Sequence, residues 1–367
     1  MQEFLVGCSN KPLWQEAVVD CLARLGPVPE EANLGFVYVT DGFDRRLADI
    51  CAGLREQTGI SHWVGTIGTG ICCQRRELSG SPAMAVMLAG FAEDSFLVFQ
   101  SPDEVRADFA GRRQQGLRIA VVHGDARNNR IQELLRWPAE LYGETYLLGG
   151  LTSSHGEHFQ LADGIVQGQL SGVLFEQEVP VLTGLTQGCT PLGETHQLTE
   201  CEGNIAVKID GQPALKVLQQ EIGQALAKDL QRTTGYIFAG LPLAGSDMRN
   251  YVVRDFTGFD RTNQWIGVAE KLTKNTPILF CKRDRKTAEQ DLRHMLQQLK
   301  KRVSSRIKGA LYFSCLGRGQ HLFGEVNREL EIIAEILGDI PLVGFYANGE
   351  ISGDQLYAYT GVIMLFV

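Results

Sequence analysis

The feature of this sequence that most restricts its fold is an internal repeat. Three stretches of similar length, 34–90, 117–175 and 309–367, each show the pattern of a strand, a helix, a second strand and a returning strand. In each stretch the strand after the helix carries a hydrophobic residue and then a glycine, at Val64-Gly65, Leu148-Gly149 and Val343-Gly344. Such repeated strand-helix-strand-strand units predict mixed β-sheets flanked by helices, because each unit must bury its apolar face against another.

The length of the chain predicts two domains. At 367 residues it exceeds the size that a single hydrophobic core usually serves. We expect an α/β protein with domains at 1–205 and 206–367, the first two repeats lying in the first domain and the third in the second. Helical spacing at 213–228 is followed by strand-like runs that predict a mainly antiparallel sheet. These runs are Tyr236–Ala239, Tyr251–Phe256, Gln264–Val268 and Ile278–Cys281.

The charge and hydropathy pattern argues against several classes of partner. The chain carries 35 basic and 43 acidic side chains, a formal net charge of −8, which is the wrong sign for binding nucleic acid. Its start lacks a basic segment followed by a long apolar core, and no apolar run approaches the ~20 residues of a membrane helix. We therefore expect a cytoplasmic protein with neither nucleic-acid nor membrane partners.

The motifs of common enzyme classes are missing from the sequence. There is no GxxxxGK[ST] phosphate loop and no GxSxG nucleophile elbow. Gly65, Gly68 and Gly70 stand in the wrong order for a dinucleotide fingerprint. Ser305 and Lys308 form an SxxK pair without the companion motifs of a serine acyl-transfer site. The sequence favours a binding protein, and an enzyme that acts on a small metabolite is the third hypothesis.

A glycine-rich loop after the first strand of the third repeat has anion-binding character. The strand ends in Ser314 and Cys315, and Gly317 and Gly319 flank Arg318 before the next helix. Such a loop can offer backbone N–H groups and a guanidinium to an anion. Two interpretations are open at this stage. Arg318 binds an anionic group of a ligand, or it pairs with a nearby acidic side chain.

Turns after the second strand of two repeats end in Gly-Glu and are expected to line one cleft. If the strands that precede the 314–319 loop and the 344–350 turn are parallel, both segments lie at one end of a sheet. The first repeat has Gly70-Ile71 at the corresponding turn and lacks the carboxylate. Catalysis by the turn glutamates is a weaker alternative than capping of neighbouring N–H groups. The candidate ligand contacts in the turns are Tyr346, Asn348, Glu350, His155 and Glu157.

Histidines are the candidates for a metal or haem. His155 and His158 form the densest pair of imidazoles, but HxxH outside the HExxH context gives little support for a metal, and we expect none. A haem needs only one suitable imidazole, which makes His123, His155 and His158 its candidates. The simpler interpretation of the His155–His158 segment is a polar turn between strands. The nine cysteines show no metal-like spacing and are expected to be reduced core residues.

The sequence strongly resembles the FIST family, whose two parts are known as FIST N and FIST C. The N-terminal half resembles FIST N through Phe36–Val39 and Val64-Gly65, but departs from it at 65–71, where relatives commonly have a Gly-Cys-Ser turn ending in Gly-Glu. The resemblance implies FIST N at 1–205 and FIST C at 206–367. The clearest signatures, all in the C-terminal half, are Tyr251–Asp255, Ala310–Gly319, Leu322–Gly324 and Pro341–Glu350.

The resemblance implies an intracellular sensory protein of signal transduction that binds a small ligand. Amino acids are among the ligands proposed for the family, and some relatives bind haem and report nitric oxide. A haem-binding nitric oxide sensor is therefore the second hypothesis, and the first requires no cofactor. Relatives often carry a fused output domain or an F-box, whereas the two FIST parts account for nearly all of this chain. We expect the signal to pass to a separate output protein or through self-association as a homo-oligomer.

Overall fold

Two compact units make up the part of the chain that the structure describes. The first unit comprises residues 1–186 and 289–367, and the second comprises residues 187–288. The α/β class and the mixed sheets flanked by helices are confirmed. The structure is a computed structural model that describes residues 1, 3–109, 117–140, 144–227, 230–243 and 251–367.

The first repeat begins earlier than the sequence pattern indicates, with an additional strand and helix. Strands β2 and β3 are parallel and joined by α2, and β6 returns antiparallel to β2. β2 is buried along its whole length, which explains its unbroken apolar run. The elements are β1 (Leu5–Ser9), α1 (Trp14–Leu25), β2 (Leu34–Thr40), a 3-10 helix (Asp41–Arg46), α2 (Leu47–Thr58), β3 (His62–Gly68), β4 (Gly70–Cys73), β5 (Arg76–Ser79) and β6 (Met84–Ala89).

The second repeat has the same order of elements. Strands β8 and β9 are parallel, and β12 returns antiparallel to β8. Its elements are β7 (Phe96–Phe99), α3 (Pro102–Phe109), β8 (Leu117–Gly124), α4 (Ile131–Leu134), a 3-10 helix (Trp137–Glu140), β9 (Glu144–Leu151), β10 (Gln160–Ala162), β11 (Gly164–Val166) and β12 (Leu170–Phe175). Strand β13 (Val181–Gln187) then opens the third repeat.

The second unit contains the predicted antiparallel sheet. Its strand order is β18-β17-β21-β14-β15-β20-β19, with β16 beside β15. The expected domain boundary at 205/206 falls at the start of β15 and stays a prediction. The elements are β14 (Cys189–Glu202), β15 (Ile205–Ile209), β16 (Gln212–Pro213), α5 (Ala214–Ala227), a 3-10 helix (Leu230–Thr233), β17 (Ile237–Pro242), β18 (Tyr251–Arg254), β19 (Phe256–Asp260), β20 (Trp265–Val268) and β21 (Thr276–Arg283).

The third repeat resumes after this insertion. Strands β22 and β23 are parallel, and β26 returns antiparallel to β22. The second unit therefore interrupts the third repeat between its first strand, β13, and its first helix, α6. The remaining elements are α6 (Arg285–Arg302), β22 (Gly309–Cys315), α7 (Gln320–Phe323), α8 (Arg328–Leu337), β23 (Leu342–Ala347), β24 (Glu350–Ser352), β25 (Gln355–Tyr357) and β26 (Thr360–Phe366).

The three repeats form three sheets with one common strand order, and they exchange hairpins. The sheets run β1-β6-β2-β3-β10-β11, β7-β12-β8-β9-β24-β25 and β13-β26-β22-β23-β4-β5. Each sheet thus ends in a hairpin from another repeat. The second repeat contributes β10 and β11 to the first sheet, and the third repeat contributes β24 and β25 to the second sheet. The first repeat contributes β4 and β5 to the third sheet. The common strand order predicted for the repeats is confirmed. The third repeat was expected in a separate domain, but these exchanged hairpins place it in one compact unit with the other two.

Steric crowding explains why each repeat has a glycine on its second strand. Gly65, Gly149 and Gly344 occupy equivalent positions on the second strand of each repeat. A Cβ added at these glycines would lie 1.7, 1.9 and 1.7 Å from backbone carbonyl oxygens of the neighbouring parallel strand. No side chain fits at that distance, because real Cβ atoms do not approach backbone oxygen so closely. Glycine is therefore required where each parallel strand pair makes its closest approach.

The centre of the first unit is a cluster of equivalent residues from all three repeats. Tyr38, His123 and Phe313 lie at matching positions on β2, β8 and β22, with ring centroids 5.5 to 6.3 Å apart. The surrounding core draws apolar side chains from all three sheets. This arrangement gives the unit an approximate three-fold organisation. In the described part of the chain no helix is long and apolar enough to cross a membrane.

Candidate functional site

The parallel pairing of β22 and β23 brings the predicted loop and turn together. Ser314 lies beside Tyr346 in the register, and the Leu316 N–H donates to the carbonyl of Ala347 at 3.0 Å. Gly319 has a φ of 51°, and a Cβ there would lie 2.8 Å from the Tyr346 hydroxyl. Glycine at 319 therefore allows the loop to pack directly on the tyrosine.

Arg318 pairs with an acidic side chain, so the structure shows the second of the two interpretations left open by the sequence. Its Nε lies 2.7 Å from Oε1 of Glu329, the second residue of α8, and both side chains are fully buried. Burial opposes the charge of Arg318, but Glu329 outweighs it and raises the pKa of the guanidinium. Glu329 also accepts hydrogen bonds from Tyr312 at 2.6 Å, Ser314 at 2.9 Å and the Gly319 N–H at 3.1 Å.

Sequence reasoning missed Glu329, although the helix pattern contains a signal for it. The residues three, four and seven positions after Glu329 are Ile332, Ile333 and Ile336, which form the buried face of α8. Positions with that spacing share one face of a helix. A glutamate at the start of an apolar stripe is placed to enter the core, where it needs a cation or several donors.

Four polar atoms of this cluster are buried and lack hydrogen-bond partners among the described residues. They are Nη1 and Nη2 of Arg318, the hydroxyl oxygen of Tyr346 and Oε1 of Glu350. Nη2 lies 2.7 Å from Glu329 Oε1, in ion-pair contact but outside hydrogen-bond direction. A buried polar group left without a hydrogen bond costs about 1–3 kcal/mol. The cluster is therefore a candidate binding site.

Two carboxyl groups at the edges of the cluster have strongly shifted acidities. Burial raises the pKa of Glu350 to about 8, against the opposing effects of hydrogen bonds from Thr360 and the charge of Arg318. The Thr360 N–H and hydroxyl both donate to Glu350 Oε2, at 3.1 and 2.8 Å. Burial and the charge of Glu329 raise the pKa of Glu77, on the exchanged strand β5, to about 7. Both carboxyl groups therefore hold a proton for part of the time near neutral pH.

Seven of the ten candidate residues come together at this place, and three do not. Asn348 is exposed. His155 and Glu157 lie beside the first repeat, where His155 Nδ1 is 2.6 Å from Asp41 and the Glu157 N–H donates to Asp44 at 3.0 Å. The residues brought together are Ser314, Cys315, Gly317, Arg318, Gly319, Tyr346 and Glu350, called the Arg318 cluster below.

The sequence-based alignment of Glu157 with Glu350 does not hold in the structure. Glu350 of the third repeat pairs with Gly150, where β24 lies beside β9. In the second repeat the residue at the same position is Gln160, which pairs with Thr66 where β10 lies beside β3. Residues 152–159 separate strands β9 and β10 of the second repeat, whereas only residues 348–349 separate β23 and β24 of the third. The longer turn displaces the Gly-Glu pair, so the sequence similarity is not a structural equivalence.

The surroundings of His123 do not fit a haem ligand. The ring is fully buried at the centre of the first unit, and its Nε2 lies 3.1 Å from the Tyr38 hydroxyl. Phe313 and Phe345 pack on it with centroids 6.1 and 5.9 Å away. Burial lowers the pKa of His123 to about 3. The aromatic rings fill the space beside this imidazole that a macrocycle would need.

The other two histidines contact neighbouring protein groups, His155 in the first repeat and His158 in its own turn. The side chain of His155 is 86% exposed and contacts Asp41. His158 Nε2 donates to the carbonyl of Ser154 at 2.9 Å. The described cavities of about 190, 260 and 410 Å³ are not lined by histidine or by the Arg318 cluster. Among the residues that the structure describes, no group of three His, Cys, Asp or Glu side chains is arranged to hold a metal ion.

Fold and cluster together define an α/β protein of three hairpin-exchanging sheets with a buried cluster of polar side chains. Family models for the FIST N domain and the FIST C domain match residues 33–212 and 214–353. The chain belongs to the FIST family, whose domains are small-ligand sensory domains of signal transduction.

Two mycobacterial proteins are similar to this chain over its whole length. The uncharacterized protein Mb0898c of Mycobacterium bovis is 28% identical over 395 residues, which cover 99% of this chain and 98% of its own length. The uncharacterized protein Rv0628c of Mycobacterium tuberculosis is 28% identical over 399 residues, which cover 99% of both chains. The similarity therefore includes both FIST parts.

Proposed function

We propose that this protein senses a small ligand at the Arg318 cluster, and that the ligand is an amino acid or a related small molecule with an anionic group. The observation that carries the proposal is the set of four buried polar atoms without hydrogen-bond partners in the described structure. Three of them, on Arg318 and Tyr346, are able to donate to an anion. A ligand oxygen placed between them satisfies groups that otherwise cost free energy.

The pairing of Arg318 with Glu329 is compatible with this role. A guanidinium carries five N–H donors in a planar fork, and Glu329 contacts it only through Nε and Nη2. The Nη1 side is left for a ligand. Glu329 then acts as a positioning residue, because its further bonds to Tyr312 and Ser314 fix the carboxylate that holds the guanidinium, which lies over the Phe323 ring at 5.2 Å from its centroid.

Entry of a ligand into the closed cluster requires a movement, and Tyr359 is the residue that we expect to move. Tyr359 and Gly317 are half-buried, and a Cβ on Gly317 would come within 2.9 Å of the Tyr359 ring. Tyr359 has a φ of 62°, a strained backbone conformation for an aromatic residue. Release of that strain on binding supplies the conformational signal of a sensor.

The chemistry of the cluster supports sensing better than catalysis. Cys315 is its one sulfur nucleophile among the described residues, and burial raises the pKa of this thiol well above its usual value. A thiol in that state is a poor nucleophile at neutral pH. We propose that the protein acts in the cytoplasm and passes its signal to a separate output protein or to a second copy of itself.

The test is a thermal-shift screen with the twenty L-α-amino acids and the matched carboxylic acids that lack the amino group. Tyr346→Phe removes a hydroxyl that makes no hydrogen bond of good geometry in the described structure, although Glu77 and Cys72 lie near it, so the melting temperature should change little. The variant should lose about 10-fold in affinity for each compound that binds the wild type, because one ligand hydrogen bond is lost.

Tyr312→Phe is the matched control. Its hydroxyl donates to Glu329 at 2.6 Å, so its loss lowers the melting temperature by removing a buried hydrogen bond to a charge. It should change ligand affinity less than Tyr346→Phe does. If no compound of the panel stabilises the wild type, or if Tyr346→Phe binds every compound as tightly as the wild type, the four buried atoms are satisfied by water and the site is wrong.

A further inference from the structure

The Arg318 cluster also contains the carboxyl group of Glu350. The contacts proposed above for an anionic group of the ligand do not involve this carboxyl group. Its side chain is fully buried, and Oε2 receives both hydrogen bonds from Thr360. Oε1 has no partner within the described residues. The titratable or charged groups that face it are Arg318 and Cys315. A buried carboxylate needs a nearby cation, or it keeps its proton.

Arg318 is not available as the full counter-ion of Glu350. Its guanidinium already contacts Glu329 at 2.7 Å through two nitrogens. Three carboxyl groups lie in this region, Glu329 and Glu350 beside the arginine and Glu77 beside Glu329, so full ionisation would leave an excess of two negative charges. One of the charges is avoided when Glu350 stays protonated. A cation brought by the ligand removes the same penalty in another way.

We propose that the ligand carries a protonated amino group that binds Oε1 of Glu350, and that its binding drives the proton of this carboxyl group into the solvent. The inference rests on the proposed function, since it concerns the same site. The balance is simple: a neutral carboxyl group and an ammonium ion become an ammonium–carboxylate pair and one free proton. No covalent bond changes, and no further reactant is needed.

An ammonium group suits this position better than a metal ion. An ammonium offers three N–H donors, enough to bond Oε1 and still reach a neighbouring acceptor. A metal ion needs several ligating groups, and the described residues contain no cluster of three that is arranged for one. A ligand with an anionic group at Arg318 and an amino group at Glu350 carries one negative and one positive charge. The protein orients it with a hydrogen-bond donor, Arg318, at one end and an acceptor, Glu350, at the other.

The proposal predicts a specific pH dependence of affinity. Below the pKa of about 8 that burial gives Glu350, the empty site holds a proton that the complex lacks. Affinity should therefore rise about tenfold per pH unit from about pH 6 to pH 7, and level off above about pH 8. A ligand that makes contact only through its anionic group shows no such rise.

The experiment is isothermal titration calorimetry of the full chain with each amino acid that binds in the screen. Titrations at one pH near 7 in phosphate and in Tris, which differ in ionisation enthalpy, give the number of protons released. We expect about one proton per ligand for the wild type. Glu350→Gln should release none and should bind about 30-fold to 1,000-fold more weakly, because the ammonium loses its carboxylate partner.

Glu77→Gln is the matched control, because Glu77 borders the cluster and its carboxyl group also titrates near neutral pH. Release of the proton should persist in this variant. Release that persists in Glu350→Gln, or that vanishes in Glu77→Gln, overturns the proposal. If acids without the amino group bind as tightly as the amino acids and release no proton, the inference about Glu350 is wrong while the proposed function stands. If no compound binds at all, the proposed function has failed first.

Discussion

The first and third repeats share a backbone arrangement but differ in their polar groups. Thr40 in the first repeat occupies the position of Cys315 in the third. Its hydroxyl donates to the Ser81 carbonyl at 2.9 Å and accepts from the Ala83 N–H at 2.8 Å. The position of Glu350 is taken in the first repeat by the apolar Ile71. At this place the first repeat has one buried atom without a hydrogen-bond partner among the described residues, Asp41 Oδ1, whereas the third repeat has four.

The second repeat lies between these two extremes. Gln160 takes the position of Glu350 and donates to Thr152 and to the His158 carbonyl, at 2.9 and 2.7 Å. Its Oε1 has no partner in the part of the chain that is described. Similar backbones thus do not imply three binding sites. The difference teaches that the fold needs the glycines and the apolar core in every repeat, while the polar groups at this place vary from one repeat to the next.

The largest expected effect comes from breaking the buried ion pair between Arg318 and Glu329, which is a feature of the third repeat. Arg318→Met leaves Glu329 charged and buried without its cation, which should lower the free energy of unfolding by about 3–5 kcal/mol. The double variant with Glu329→Gln should recover most of that loss, since neither charge remains. Urea unfolding of the three proteins measures both numbers. Equal stability of the single and double variants would show that the pair is not coupled.

A smaller effect concerns the pH dependence of stability. Burial raises the pKa of Glu350 from the usual 4.5 to about 8, so its contribution is complete below about pH 4.5 and is lost as the pH rises through 8. Wild-type stability should fall by roughly 1 kcal/mol per pH unit across that window relative to Glu350→Gln. Gln160→Glu should bring the same dependence to the second repeat. Parallel pH profiles of melting temperature for the wild type and Glu350→Gln would contradict this account.

The smallest effect is expected at the turn of the second repeat. His155→Ala removes an exposed side chain whose contact is Asp41, far along the chain from the Arg318 cluster. Stability should change by no more than about 0.5 kcal/mol, and ligand affinity should stay as in the wild type. Calorimetric titration of this variant checks the second point. A clear loss of affinity would extend the binding site to the first and second repeats.

The sequence predicts the repeat well because local patterns determine it. Alternating strands and helices follow from hydrophobic spacing, and Gly65, Gly149 and Gly344 mark the same step in each unit. The exchange of hairpins leaves no such local trace. The sequence of a short strand such as β4 indicates that it pairs with another strand. Whether that strand is β3 of its own repeat or β23 of the third repeat depends on contacts between residues far apart in sequence. For this reason the third repeat was expected in a separate domain.

The meeting of the 314–319 loop with the 344–350 turn was predictable, whereas the partners of the residues there were less so. The neighbourhood of Arg318, Tyr346 and Glu350 follows from parallel strands that end at one sheet edge. The partner of Arg318 did not follow, because a charged residue on a helix is ordinarily taken to face solvent. Glu329 lies on the apolar face of α8, and only the packed structure shows that it meets the arginine there.

The exchanged hairpins also determine when this chain can fold during its synthesis. The sheet of the second repeat is completed by β24 and β25, which lie at residues 350–357. The ribosome has by then made the whole second repeat and the second unit as well. Until that point the edge strand β9 of the second repeat has no hairpin to cover it, and open strand edges attract other chains. Nascent copies should therefore depend on holding chaperones more than proteins of similar size whose repeats close individually.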